Sequence, residues 1–119
     1  MENQPDFHSL FEITGADRKS YCHILERYVA IVPSNINDLE KYVQEKSVDQ
    51  ILLLLHDMKG SLSLLNIVPP NTSYQELTNN IKSSGLNSIN QQHLVSFISG
   101  LRKMHQLLKL EAKTTCLVY

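Results

Sequence analysis

The run Ile51-Leu-Leu-Leu-Leu-His56-Asp57-Met58-Lys59-Gly60-Ser61 places a nucleophile, a cation and a missing side chain within one helical turn. A neutral imidazole has an unprotonated ring nitrogen that can attack an electrophile such as phosphorus. Lys59, three residues on, reaches the same space with its ammonium group. There it offsets charge on a phosphoryl group and disfavours protonation of the imidazole. Gly60, four residues on, opens a path to the ring for a bulky partner. A glycine inside a helix costs about 1 kcal/mol relative to alanine, so its presence asks for a compensating function. For a His-x-x-Lys pair alone the plainer reading, a surface histidine beside a solvated lysine, is favoured because such pairs are common. The glycine and the pattern of neighbouring leucines shift the balance.

Those leucines follow from helical geometry. At about 100° per residue, Val48, Ile51, Leu55, Met58, Leu62 and Leu65 share one face, which is the expected core side. His56 projects about 140° from the centre of that face, on the side of Leu53, Gly60 and Leu64. The helix thus has a second, smaller apolar stripe around an exposed histidine, and such a patch implies a partner. Leu53, Asp57, Gly60, Ser63 and Leu64 are the expected partner-binding residues. Asp57 also points away from the core and reads as a solvated or partner-contacting group, not a catalytic base.

His8, His23, His93 and His105 are the other histidines. No Glu-x-x-His or His-Glu-x-x-His occurs, so a di-metal site in a bundle core finds no support. No nucleophile elbow points to a Ser/His/Asp or Cys/His hydrolase. His105 reads as a core-edge residue, and Tyr21, Tyr28 and Phe97 as core aromatics. Cys22 and Cys116 are far apart and lack a Cys-x-x-Cys companion, so they suggest neither a disulfide framework nor a zinc site, and a reducing compartment fits them best.

The elements that must position His56 are helices. Apolar residues recur three or four apart, and no segment alternates with period two. A brief helix over Asp6 to Ile13 is expected to end at Gly15. A second, from about Asp17, carries Tyr21, Leu25, Tyr28, Val32, Leu39 and Val43 in phase through Pro33, which predicts one kinked helix. The third runs from about Val48 to Leu65 and cannot pass Pro69-Pro70. The fourth covers Tyr74 to Ser83 with Gly85 as its stop. The fifth, Ile89 to about Ala112, has Leu94, Phe97, Ile98, Leu101, Met104 and Leu108 on one side. Ser-x-x-Gln/Glu patterns at Ser47, Ser73 and Ser88 mark three helix starts. Four substantial amphipathic helices with short connections predict an all-α fold, an antiparallel up-down-up-down four-helix bundle with a short additional N-terminal helix.

The 119 residues make one domain, 1–119, with Met1-Pro5 and Thr114-Tyr119 as loose termini. Eleven Lys and Arg against twelve Asp and Glu leave no basic field for nucleic acid or anionic lipid. The longest apolar run, Ile51 to Leu55, is too short to cross a bilayer, so the expectation is a soluble piece without direct membrane contact.

The segment His56 to Asn66 resembles the signature of histidine phosphotransfer domains. In that family, His-x-x-Lys-Gly and a small residue on the third long helix of the bundle are followed by Leu-Gly at the helix end. His56, Lys59, Gly60, Ser61 and Leu65 match, while Leu55 stands where the family usually has alanine and Asn66 where it has glycine. The resemblance implies a phosphoacceptor at His56 through Nε2, with Lys59 as electrostatic support and Gly60 as steric clearance. It implies partners that are response-regulator receiver domains, possibly of a hybrid sensor kinase. The domain itself would be no enzyme and bind no cofactor, the magnesium residing in the receiver. The expected setting is cytoplasmic, or the cytoplasmic C-terminal module of an inner-membrane sensor kinase, and the isolated domain is expected to be a monomer. The rival from another class is a non-catalytic interaction module using Leu53, Gly60 and Leu64. A small-molecule enzyme ranks third, since closely packed helices leave little room for a pocket.

Overall fold

The computed structural model describes residues 6–63 and 69–116, and the side chains of these except 61–63 and 69–75. Among the described residues every regular element is a helix, five in chain order.

Helix α1 (Phe7–Ile13) starts on Asp6, whose carboxylate accepts from the Ser9 backbone N–H at 3.0 Å. It ends ahead of Gly15, whose φ of 84° only glycine adopts readily. Helix α2 (Arg18–Gln44) is capped by Asp17 in the same way and runs without a break through Pro33. Its buried phase is the expected Tyr21, Leu25, Tyr28, Val32 and Leu39, joined by Cys22 and Ile36, with Val43 only partly covered.

Helix α3 (Val48–Ser63) follows a turn at residues 45–47. Ser47 stands just before it and donates to Gln50 Oε1 at 2.9 Å. The predicted continuation to Leu65 and the core assignment of Leu62 and Leu65 lie outside the described residues or side chains.

Helix α4 (Pro69–Ser84) begins five residues before the predicted Tyr74. Pro69-Pro70 starts this helix besides barring extension of the previous one. A proline in the first turn sacrifices no intrahelical donor, and its fixed φ suits the helix. The Ser73-x-x-Glu76 pattern therefore sits inside α4 and marks no start. Helix α5 (Ser88–Thr115) is capped by Asn87, one residue ahead of the predicted Ser88 cap, and follows Gly85 with φ 67°. It passes the expected end at Ala112, so Thr114, Thr115 and the buried Cys116 are ordered where a loose terminus was expected.

Helices α2 and α5 run antiparallel, as contacts from Arg18 to Thr115, Tyr21 to Glu111 and Val29 to His105 require. Helix α3 packs on α2 and α4, α4 on α3 and α5, and α1 on α2. At about 1.5 Å per residue, α2 and α5 are each about 40 Å long and α3 and α4 about 24 Å. Because α3 turns back from the end of α2 and α4 leads into the start of α5, the shorter pair flanks only one half of the longer pair. The other half consists of the start of α2, the end of α5 and α1. The 45 × 23 × 23 Å extents fit this elongated arrangement.

The far half contains the main correction to the expectations. Cys22 and Cys116 form a disulfide, their Cα atoms 5.9 Å apart across 94 residues of sequence. Their wide spacing and missing Cys-x-x-Cys companions disfavoured a bond only while the helices were considered one at a time. Antiparallel α2 and α5 bring the second turn of one level with the C-cap of the other. The cysteines therefore do not indicate a reducing compartment.

Candidate functional site

Buried side chains set the orientation of α3. Ile51, Leu55 and Met58 are at most 3% exposed and fix the rotation of the helix against the core. Leu55, large where alanine might stand, is accommodated with no exposure at all. One residue further around, His56 is turned out to solvent, and Asp57, Lys59 and Gly60 are exposed with it. The His56 ring has no hydrogen-bond partner among the described residues. Lys59, one turn along, lies with its Cβ about 5–6 Å from that of His56.

Leu53 is 62% exposed, although its neighbours Leu52 and Leu54 are partly buried against the core. A Cβ built on Gly60 meets nothing within 4 Å among the described residues. The packing of the described residues therefore does not demand glycine there. Of the residues expected at this face, His56, Leu53, Asp57, Lys59 and Gly60 are thus brought together on the exposed side of α3. Ser63 is its last residue, but its side chain, like the whole of Leu64, lies outside what is described.

The remaining histidines differ in surroundings. His8 pairs with Glu12 at 3.2 Å on the exposed face of α1. His105 is half-buried, its Nε2 3.1 Å from the Val29 carbonyl oxygen, which makes it the core-edge residue expected. His23 and His93 are exposed like His56, so exposure alone does not single out a nucleophile. Only His56 has both a cation and a glycine in the next turn; the corresponding residues are Glu26 and Arg27 after His23, and Ser96 and Phe97 after His93.

Among the described residues no three His, Cys, Asp or Glu side chains cluster as metal ligands. A shallow depression lined by Ser88, Gln91, Gln92 and Val95 lies on α5, away from the described residues of the His56 face. No described helix is long and apolar enough to cross a membrane.

Three tertiary contacts are not legible in the sequence pattern of single helices. Asn90, 2% exposed, donates through Nδ2 to the carbonyls of Asn80 and Gly85 at 3.2 and 2.7 Å and ties the α4–α5 turn. The Tyr21 hydroxyl donates to Glu111 at 2.5 Å. Burial first, then that hydrogen bond, holds the Tyr21 phenol well above its ordinary range, and burial also raises Tyr28. The third is the disulfide, for which a signal existed. Cys22 adjoins the buried phase of α2, and Cys116 continues the four-residue step from Leu108 and Ala112. No known protein family, curated protein or solved structure matches the chain.

Proposed function

We propose that this chain is a histidine phosphotransfer domain that carries a phosphoryl group on His56 between aspartates of receiver domains. The observation that carries the reading is an exposed imidazole in mid-helix, with no described residue crowding a Cβ at Gly60, one turn away. A receiver's aspartyl phosphate is recessed, so the acceptor must stand clear of its own fold on a rigid element. In the forward step, a ring nitrogen of His56 attacks phosphorus, the phosphorus–oxygen bond to the aspartate breaks, and the carboxylate leaves. The step reverses on a second receiver. Lys59 offsets charge on the transferred group, and the receiver supplies the magnesium and most of the stabilisation. Leu53, Asp57, Gly60, Ser63 and Leu64 form the docking face. The domain has no ATP site or cofactor of its own and acts as a monomeric carrier.

The finer architecture that accompanies this function is the up-down-up-down antiparallel four-helix bundle of α2 to α5. The antiparallel α2–α5 pair and the closed sequence of contacts through α3 and α4 support it. The setting is the cytoplasm, or the cytoplasmic module of an inner-membrane sensor kinase. In that setting the Cys22–Cys116 bond would be of the transient, redox-responsive kind.

Leu53 favours a second reading, since so exposed a leucine also suits an interaction module that transfers nothing. Incubation with a panel of phosphorylated receiver domains separates the two. Acid-labile label moving onto this chain is the expected result; binding of a receiver with no label transferred would leave only the interaction module.

A further inference from the structure

The disulfide lies in the half of the molecule that α3 and α4 do not flank. Cys22 sits in the second turn of α2 and Cys116 caps α5, and they are 6% and 0% exposed. Each has a neighbour that holds the two helix ends together independently. Arg18 donates through Nε and Nη2 to the carbonyl of Thr115, adjacent to Cys116, at 3.1 and 2.6 Å. Tyr21, adjacent to Cys22, donates to Glu111, which also accepts from Thr115 Oγ1 at 3.2 Å. A small thiol cannot reach a buried sulfur in the closed arrangement. Exchange must wait for the last turn of α5 to release these contacts and lift Cys116 from the core.

We propose that Cys22 and Cys116 form a reversible redox staple on the far half of the molecule, with Arg18 and the Tyr21–Glu111 pair as the latch that controls access to it. The bond closes by exchange with a low-molecular-weight disulfide. One cysteine thiolate attacks a sulfur of that disulfide and displaces the first small thiolate. The second cysteine attacks the resulting mixed disulfide and displaces the other. Two electrons pass to the small disulfide, and the two protons lost by the cysteines end on the released thiols. In the dithiol state only the latch and the apolar packing around Leu10, Tyr21 and Leu108 hold the end of α5 and, through the start of α2, the seat of α1. In the disulfide state that end is fixed. The cation and glycine near His56 take no part, so this inference does not depend on the phosphotransfer reading.

The test uses the oxidised full chain under native conditions with excess dithiothreitol, trapping thiols by alkylation and counting them by mass. Two thiols per chain should appear slowly; Tyr21→Phe should speed their release by roughly threefold to tenfold, the loss expected for one hydrogen bond, and Arg18→Ala, which removes two, by at least as much. Arg102→Ala, which removes the exposed Arg102–Glu40 pair, serves as the control and should leave the rate unchanged. Amide hydrogen exchange should accelerate on reduction in α1 and the last turns of α5 but not in α3, and oxidised glutathione should restore protection. Reduction as fast as in denaturant, or at one rate in all variants, would overturn the latch. Reduction only after complete unfolding, or with no change in α1 and α5 exchange, would overturn the staple as a reversible device.

Discussion

At the scale of single residues, the environment of His56 separates chemistry from stability. Its ring is exposed and makes no hydrogen bond to the described residues, so removing it should disturb little else. His56→Gln is expected to abolish acceptance of label from a phosphorylated receiver while shifting unfolding free energy by about 0.5 kcal/mol or less. Retained labelling in the folded variant points to another acceptor, and His23 and His93 are then the exposed candidates. If His56 is the phosphoacceptor as proposed, Lys59→Ala should slow transfer without preventing it, since a receiver's metal ion would bear most of the charge stabilisation. Single-turnover kinetics at saturating receiver check this, and an unchanged rate reduces Lys59 to a bystander.

At the scale of elements, α3 presents two sides with different tolerances. No described residue crowds a Cβ at Gly60, so Gly60→Gln replaces a poor helix former by a better one and should stabilise the fold by up to about 1 kcal/mol. The same side chain should block transfer by standing between the imidazole and a docked receiver. Melting temperature and transfer measured on one variant separate these effects; a stable protein that transfers at the wild-type rate rules out docking through this face. The turn between α4 and α5 has the opposite character. Asn90→Ala withdraws the side-chain donor that two carbonyls share, at an expected cost of about 1–3 kcal/mol by denaturant unfolding. A negligible cost would mean that water replaces the amide there.

At the scale of the whole molecule, the two halves differ in how they are held. The half containing α3 and α4 combines apolar packing of four helices with the Asn90 hydrogen bonds and the exposed Arg102–Glu40 pair, whereas the far half adds the disulfide, the Arg18–Thr115 contacts and the Tyr21–Glu111 hydrogen bond. Burial of the Tyr21 phenol, reinforced by that bond, gives the far half an alkaline limit. Folding raises the Tyr21 phenol above its unfolded value near 10, so the folded state favours the neutral form. The associated stability is fully present below pH 10 and is lost as pH rises from there toward the folded value. Tyrosinate absorbance should accordingly show a component that ionises only well above pH 10 together with loss of helicity. Tyr21→Phe should reduce that component to the part that the buried Tyr28 contributes, and an unchanged amplitude would assign it to other rings.

The sequence by itself determined that the chain is helical, which face of each long helix is apolar, and that His56 points away from the core. These properties repeat every three to four residues and depend on local backbone geometry. The buried Ile51, Leu55 and Met58 and the exposed His56 therefore match their helical phase. Where two local rules competed, the sequence was ambiguous. Pro69-Pro70 reads equally as a barrier and as a first turn, and the Ser73-x-x-Glu76 cap pattern drew the start of α4 too late. Only the tertiary structure decided that Cys22 meets Cys116, that Tyr21 meets Glu111, and that Asn90 is covered. Each of these depends on how helix ends align or turns close, and no periodic signal encodes that alignment. The pairing of two cysteines 94 residues apart exists only because α2 and α5 are of nearly equal length and antiparallel, so that the start of one comes level with the end of the other.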